Sequence, residues 1–148
     1  MKPIRTYILI ADGARAHLLL SDGRGKPLVE VPGSEHRQDL KPDRELSKDR
    51  PGRVHESANA SRHAIEREDL HCREKERFAQ SLAENLDRRL ANREFDRVVI
   101  AAPPETLGAI RSALSTKVQS VLLAEVAKDL TKIPNAQIKP YLGDDLPL

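Results

Sequence analysis

Apolar residues fall in short uninterrupted runs near both ends of the chain and in a four-residue rhythm in its middle. Tyr7-Ile8-Leu9-Ile10-Ala11 is a β-rich run that stops at Asp12-Gly13, a hairpin turn signal. Ala14 to Ser21, carrying Leu18, Leu19 and Leu20, stops at Asp22-Gly23-Arg24-Gly25, and Lys26 to Val31 stops at Pro32-Gly33. Three strands joined by tight turns predict an antiparallel meander. Residues 61–92 contain no Pro or Gly, and Phe78, Leu82, Leu86 and Leu90 recur every fourth position with Ala79 and Ala83 beside them. That spacing predicts a helix with one apolar face on its second half. Its first half, Glu66 to Arg77, is almost all charge and reads as a solvated extension. Phe95 to Ala102 does not alternate and so reads as a strand covered on both faces. Pro103-Pro104 breaks it, and Glu105 to Ser115 is a helix with Leu107, Ile110 and Leu114 on one side. Val121 to Val126 is a last strand, and Thr131 reads as the N-cap of a terminal helix reaching about Leu142.

The element order is thus β-β-β-α-β-α-β-α, in one domain spanning residues 1–148. Helical crossovers make the last two strands parallel to a neighbour. The expected fold is α/β: a five-stranded mixed sheet of order 3-2-1-4-5, strand 2 antiparallel to the rest, flanked by helices. Strands 1, 3, 4 and 5 then share a carboxyl edge, where open α/β sheets bind ligands. At that edge stand Asp12, Glu105, Lys128 and Asp129, with the crevice between strands 1 and 4. A long polar loop, about 34–62, leaves from the same edge; a loop of this length points to function more than to simple connection.

Charge sharpens that picture. The 148 residues carry 25 basic and 23 acidic side chains, and residues 35–77 hold 22 of these charges in 43 positions with signs in balance. No segment is a polybasic arm. No apolar run approaches the roughly 20 residues that a membrane helix needs. The opening Met1-Lys2-Pro3-Ile4-Arg5 has no apolar stretch of the signal-peptide kind, so a cytoplasmic location without membrane attachment is expected. The one cysteine, Cys72, excludes an internal disulfide and fits a reducing compartment. With no Trp, two Tyr and two Phe, a base-stacking platform is not expected.

Candidate chemistry is sparse. His71 and Cys72 are helix neighbours that diverge by about 100°, so they do not act on one another. His55, His63 and His71 are spaced by eight residues, about 12 Å along a helix, too far for one ion to collect two of them. Asp12, Glu105 and Asp129 would suit a metal-assisted nuclease or hydrolase if they converged. A turn former, a first-turn helix acid and a surface charge explain them separately, so no bound metal and no cofactor are expected. Phosphate-loop, dinucleotide and nucleophile-elbow motifs are absent from the sequence. The segment Asp49 to Ser57 sets a Pro51-Gly52 turn among Arg50, Arg53 and His55, with Arg62 close behind. Planar cationic donors on such a turn suit a phosphate, a carboxylate or an RNA backbone.

Pro51-Gly52-Arg53-Val54-His55-Glu56-Ser57, Ala64-Ile65-Glu66 to His71, Phe78 with Leu82-Ala83, Val99 to Pro103 with Leu107-Gly108 and Ile110-Arg111, and Ala124-Glu125 with Lys128-Asp129 and Ile133-Pro134 form a set. Together they resemble the bacterial host attachment family, the proteins required for attachment to host cells. That family in turn resembles the middle domain of archaeal and eukaryotic class-1 release factors and of Pelota, which implies a ribonuclease H-like topology. Release factors carry Gly-Gly-Gln before the long helix; this chain has Pro51-Gly52-Arg53-Val54 and no glutamine, which implies no peptide release. The resulting expectation is a noncatalytic binding module for RNA or the ribosome. A protein-interaction adaptor is the alternative, and a metal-assisted hydrolase is the enzymatic reading.

Overall fold

The computed structural model describes residues 4–23, 25–38, 57–143, 146 and 148, with side chains of the long helix described at 70 and from 72 onward. Strand β1 (Thr6–Ala11) is buried along its whole length and forms the middle of a mixed sheet. On one side it pairs antiparallel with β2 (Arg15–Ser21), Thr6 facing Ser21 and Ala11 facing Ala16. On the other it pairs parallel with β5 (Arg97–Ala101), which pairs parallel with β6 (Leu122–Val126). The far side of β2 takes β3 (Val29–Glu30) and β4 (His36–Arg37), both antiparallel to it. The path β3-β2-β1-β5-β6 is the expected strand order, with β4 added.

Pleating divides the sheet's side chains between two apolar clusters. Tyr7, Leu9, Leu18, Val98 and Ile100 meet Phe78, Leu82 and Leu86 of α1 (Ser57–Ala91) and Leu107 and Ile110 of α2 (Pro104–Ala113). Ile8, Ile10, Leu19, Val99 and Ala101 meet Leu130, Ile138 and Leu142 of the terminal segment. Cover on both faces explains why the runs in β1 and β5 do not alternate. Phe78, Ala79, Leu82, Ala83 and Leu86 are all buried, whereas Leu70 and Cys72 are exposed, so α1 is anchored by its second half.

The end of α1 is closed by backbone geometry. Glu94 N–H donates to the Arg89 carbonyl at 3.0 Å and Arg93 N–H to that of Leu90 at 2.9 Å, with Arg93 at φ 59°. These are the two bonds of a Schellman motif, with an arginine at the left-handed position that glycine usually holds. Tyr7 stacks on Phe95 just beyond, ring centroids 4.9 Å apart. Its hydroxyl donates to Glu94 Oε1 at 3.0 Å, and Arg89 Nη1 donates to the same oxygen at 2.8 Å. Burial first, and the Glu94 carboxylate second, push the Tyr7 phenol up.

Four expectations are corrected. The third strand was expected over Lys26 to Val31 but spans only Val29–Glu30. Pro27 brings no donor to the ladder, and Pro32-Gly33 turns the chain with Gly33 at φ 71°. The loop expected over 34–62 is ordered at both described ends: β4 is a sixth strand at its start, and α1 begins at Ser57. Arg62 therefore stands on α1. Ser34 makes β4 possible, because its buried Oγ accepts from Leu18 N–H at 3.0 Å and donates to the Val31 carbonyl at 2.6 Å. A short helix, α3 (Thr116–Ser120), lies between α2 and β6, and its N-cap Ser115 accepts from Val118 N–H at 3.2 Å. Finally, Thr131 caps no helix. Pro134 and Pro140 interrupt the terminal segment, which makes turns of 3-10 type at Asn135–Gln137 and Lys139–Leu142 instead. Among the described residues no helix is long and apolar enough to cross a membrane.

Candidate functional site

The carboxyl edge of β1, β5 and β6 is where the topology places a site, and the side chains there part company by face. Asp12 follows β1 and organises the turn into β2. Its Oδ1 accepts from Ala14 N–H at 2.7 Å and Arg15 N–H at 2.8 Å, while its own N–H donates to the Arg15 carbonyl at 2.9 Å. The turn is therefore centred on Gly13-Ala14, and Gly13 takes no left-handed φ, unlike the Asp-Gly hairpin expected from sequence. Oδ2 accepts from Arg15 Nε at 3.2 Å and from Thr131 Oγ1 at 3.3 Å. Burial tends to raise the Asp12 carboxyl, but the two backbone amides, Arg15 and Thr131 outweigh it and hold it below the usual carboxylate range.

Asp129 lies on the same face. Its Oδ1 accepts from Thr131 Oγ1 at 2.6 Å and from Thr131 N–H at 3.0 Å, so Thr131 stands between the two acids. Glu105 belongs to the other face, in the first turn of α2, and pairs with Lys75 Nζ of α1 at 3.5 Å with both side chains largely in solvent. Such an exposed pair contributes little. Lys128 is exposed at the rim. The structure thus brings Asp12 and Asp129 together through a hydroxyl and leaves Glu105 with α1. Among the described residues no group of three or more His, Cys, Asp or Glu side chains is placed to hold an ion together. Arg50, Arg53 and His55 lie outside the described residues, and only the backbone of Arg62 is described.

Two hollows open at this edge. One, about 180 Å³, lies between α1 and α2 beside the β1–β2 turn and is walled by Gly13, Cys72, Lys75, Phe78, Glu105 and Ala109. A second, about 210 Å³, lies over β2 and the terminal segment and is lined by Arg15, His17, Glu30, Arg37, Thr131 and Asn135, among others. None of its basic residues was a candidate from sequence. The signal was present on β2, where Arg15 and His17 occupy the same side of the pleat as Leu19. Reading them as a site required knowing that β4 sets Arg37 opposite Arg15.

A family model described as "Protein required for attachment to host cells" matches residues 7–142, from β1 to the second 3-10 turn. No curated protein matches the sequence.

Proposed function

The chain belongs to the family of proteins required for attachment to host cells, and from that premise we propose that its part in attachment is a binding one, a noncatalytic module that takes RNA, ribosomal RNA included, across the carboxyl edge of its sheet. The observation that carries this reading is how the acids at the edge are used. Asp12 accepts from two backbone amides, Arg15 and Thr131; Asp129 accepts twice from Thr131; Glu105 faces Lys75. Each carboxylate serves a turn or a neighbouring element, whereas metal-assisted hydrolysis needs carboxylates that converge on one ion. The cations at the same edge, Arg15, Arg37, Lys75 and Lys128, supply the charge that a phosphate backbone requires. Arg50, Arg53, His55 and Arg62 join them in this proposal on sequence grounds, as does the resemblance to release-factor middle domains. A cytoplasmic place of action goes with it.

The adaptor reading has an observation of its own, Leu70 of α1, an apolar side chain 41% exposed in a stretch of sequence rich in charge. Both readings meet one experiment. Recovery of partners from cell lysate, with and without nuclease, is compared for the wild-type protein and the R50A/R53A double variant. RNA-dependent recovery that falls in the variant, together with short-RNA binding that weakens steeply with salt, is the expected result. Recovery indifferent to nuclease, with no binding of purified RNA, replaces the RNA module with the adaptor.

A further inference from the structure

We propose that the hollow over β2 and the terminal segment is a binding site for a compact oxyanion, a phosphate group that carries a proton. It rests on the binding-module reading only in naming the chemical group at one place on that edge, and it can stand if RNA is not the ligand.

The first support is a pair of like charges. Arg15 and Arg37 are register partners on β2 and β4, and both line the hollow. Like charges directly opposite on a sheet repel each other. Asp12 takes Arg15 through Nε at 3.2 Å and supports one guanidinium. An oxyanion between the two arginines would join both by charge-assisted bonds, the geometry for which guanidinium groups are suited. The second support is His17, on the same side of β2 as Arg15. His17 lines the hollow, and its Nε2 is shut off from solvent with no hydrogen-bond partner among the described residues, so a turn of the ring toward the guest would pair it. A buried polar atom left unpaired is costly, and such atoms in folded proteins ordinarily have a protein, water or ligand partner. Asn135 adds an amide to the lining.

The acids set the specificity. Glu30 pairs in register with Leu19, four residues along β2 from Arg15, or about 13 Å. It therefore marks the far end of the hollow. Glu35 is nearer, one residue before His36, and it also lines the hollow. A carboxylate beside the site repels a fully ionised guest but accepts the hydroxyl of a hydrogen phosphate. Sulfate has no proton to offer, so the site selects phosphate over sulfate. The volume, about 210 Å³, is below the range for drug-sized ligands and fits a phosphate with a small attachment or a few waters.

The experiment is a titration of the full chain with sodium phosphate, sodium sulfate and sodium chloride at matched ionic strength. It is followed by the side-chain nitrogen resonances of the histidines and by the melting temperature. Phosphate should shift the His17 signal and raise the melting temperature at millimolar concentration, with sulfate at least several-fold weaker. R37Q, an exposed change on an edge strand, should keep the melting temperature without phosphate and weaken phosphate binding roughly tenfold. E35Q should narrow the gap between phosphate and sulfate. If His17 responds no more to about 10 mM phosphate than to chloride, or if R37Q binds phosphate as the wild type does, the site is wrong. Short RNA separates the two readings. RNA phosphodiesters carry no proton, so RNA that binds without displacement by phosphate and without sensitivity to R37Q supports the module reading at another part of the edge, and the phosphate arms alone then decide this site. Phosphate that binds here while RNA does not bind at all supports the site and removes RNA as the partner.

Discussion

Asp12 shows how much one side chain does at the rim of this sheet. It closes the β1–β2 turn through two amides and reaches the terminal segment through Thr131, tying together elements that are 119 residues apart. Replacing it by Ala frees two amides and should cost about 1–3 kcal/mol of stability. The pH dependence has a definite sign. The folded carboxyl titrates below its unfolded value of about 3.9, so its contribution is complete above that value and is lost as pH falls through the lower, folded one. Urea denaturation of wild type and Asp12→Ala should give a constant difference from pH 7 to about pH 5, shrinking on further acidification. The turn-forming role of Asp12 was legible from the Asp-Gly pair. Its link to Thr131 was not, because nothing local marks two residues so far apart as neighbours, and the threonine looked like a helix cap.

At the scale of elements, the edge formed by β3 and β4 depends on a residue with no ladder position of its own. Between the two short strands the chain turns at Pro32-Gly33, and Leu18 of β2 would lose its partner there if Ser34 did not supply a hydroxyl. Ser34 is 2% exposed, and its Oγ spans Leu18 N–H and the Val31 carbonyl. Ser34→Ala should therefore lower stability by about 1–3 kcal/mol, more than a typical surface change, and read as a fall in melting temperature. It should also loosen Arg37, which is held on β4 just beyond. Periodicity showed the apolar face of α1 well, since Phe78, Leu82 and Leu86 pack as their spacing predicts. It failed at β4 and in the terminal segment for related reasons. A two-residue strand carries no period, and prolines at 134 and 140 override a plausible cap.

Over the whole molecule, connection lengths and handedness were enough to order the sheet, because a helix between parallel strands leaves few arrangements. They could not tell which face each edge residue serves. Asp12 and Asp129 turn one way and Glu105 the other, a division that follows from how α1 and the terminal segment cover opposite sides. Those covers are unequal. One side of the sheet is roofed by long helices; the other, with Ile8, Ile10 and Val99 fully buried, is roofed by Leu130, Ile138, Leu142 and short 3-10 turns. Such turns hold few amides in cooperative ladders, so this roof should lift on its own while the sheet stays paired. Hydrogen–deuterium exchange should then find amides of residues 135–142 opening sub-globally, with a denaturant dependence that is present but smaller than that of global unfolding. Those of β1 and β5 should exchange only when the entire chain unfolds. Each brief opening would bare a strip of sheet made of isoleucine and valine, so the terminal turns would serve as a guard against self-association.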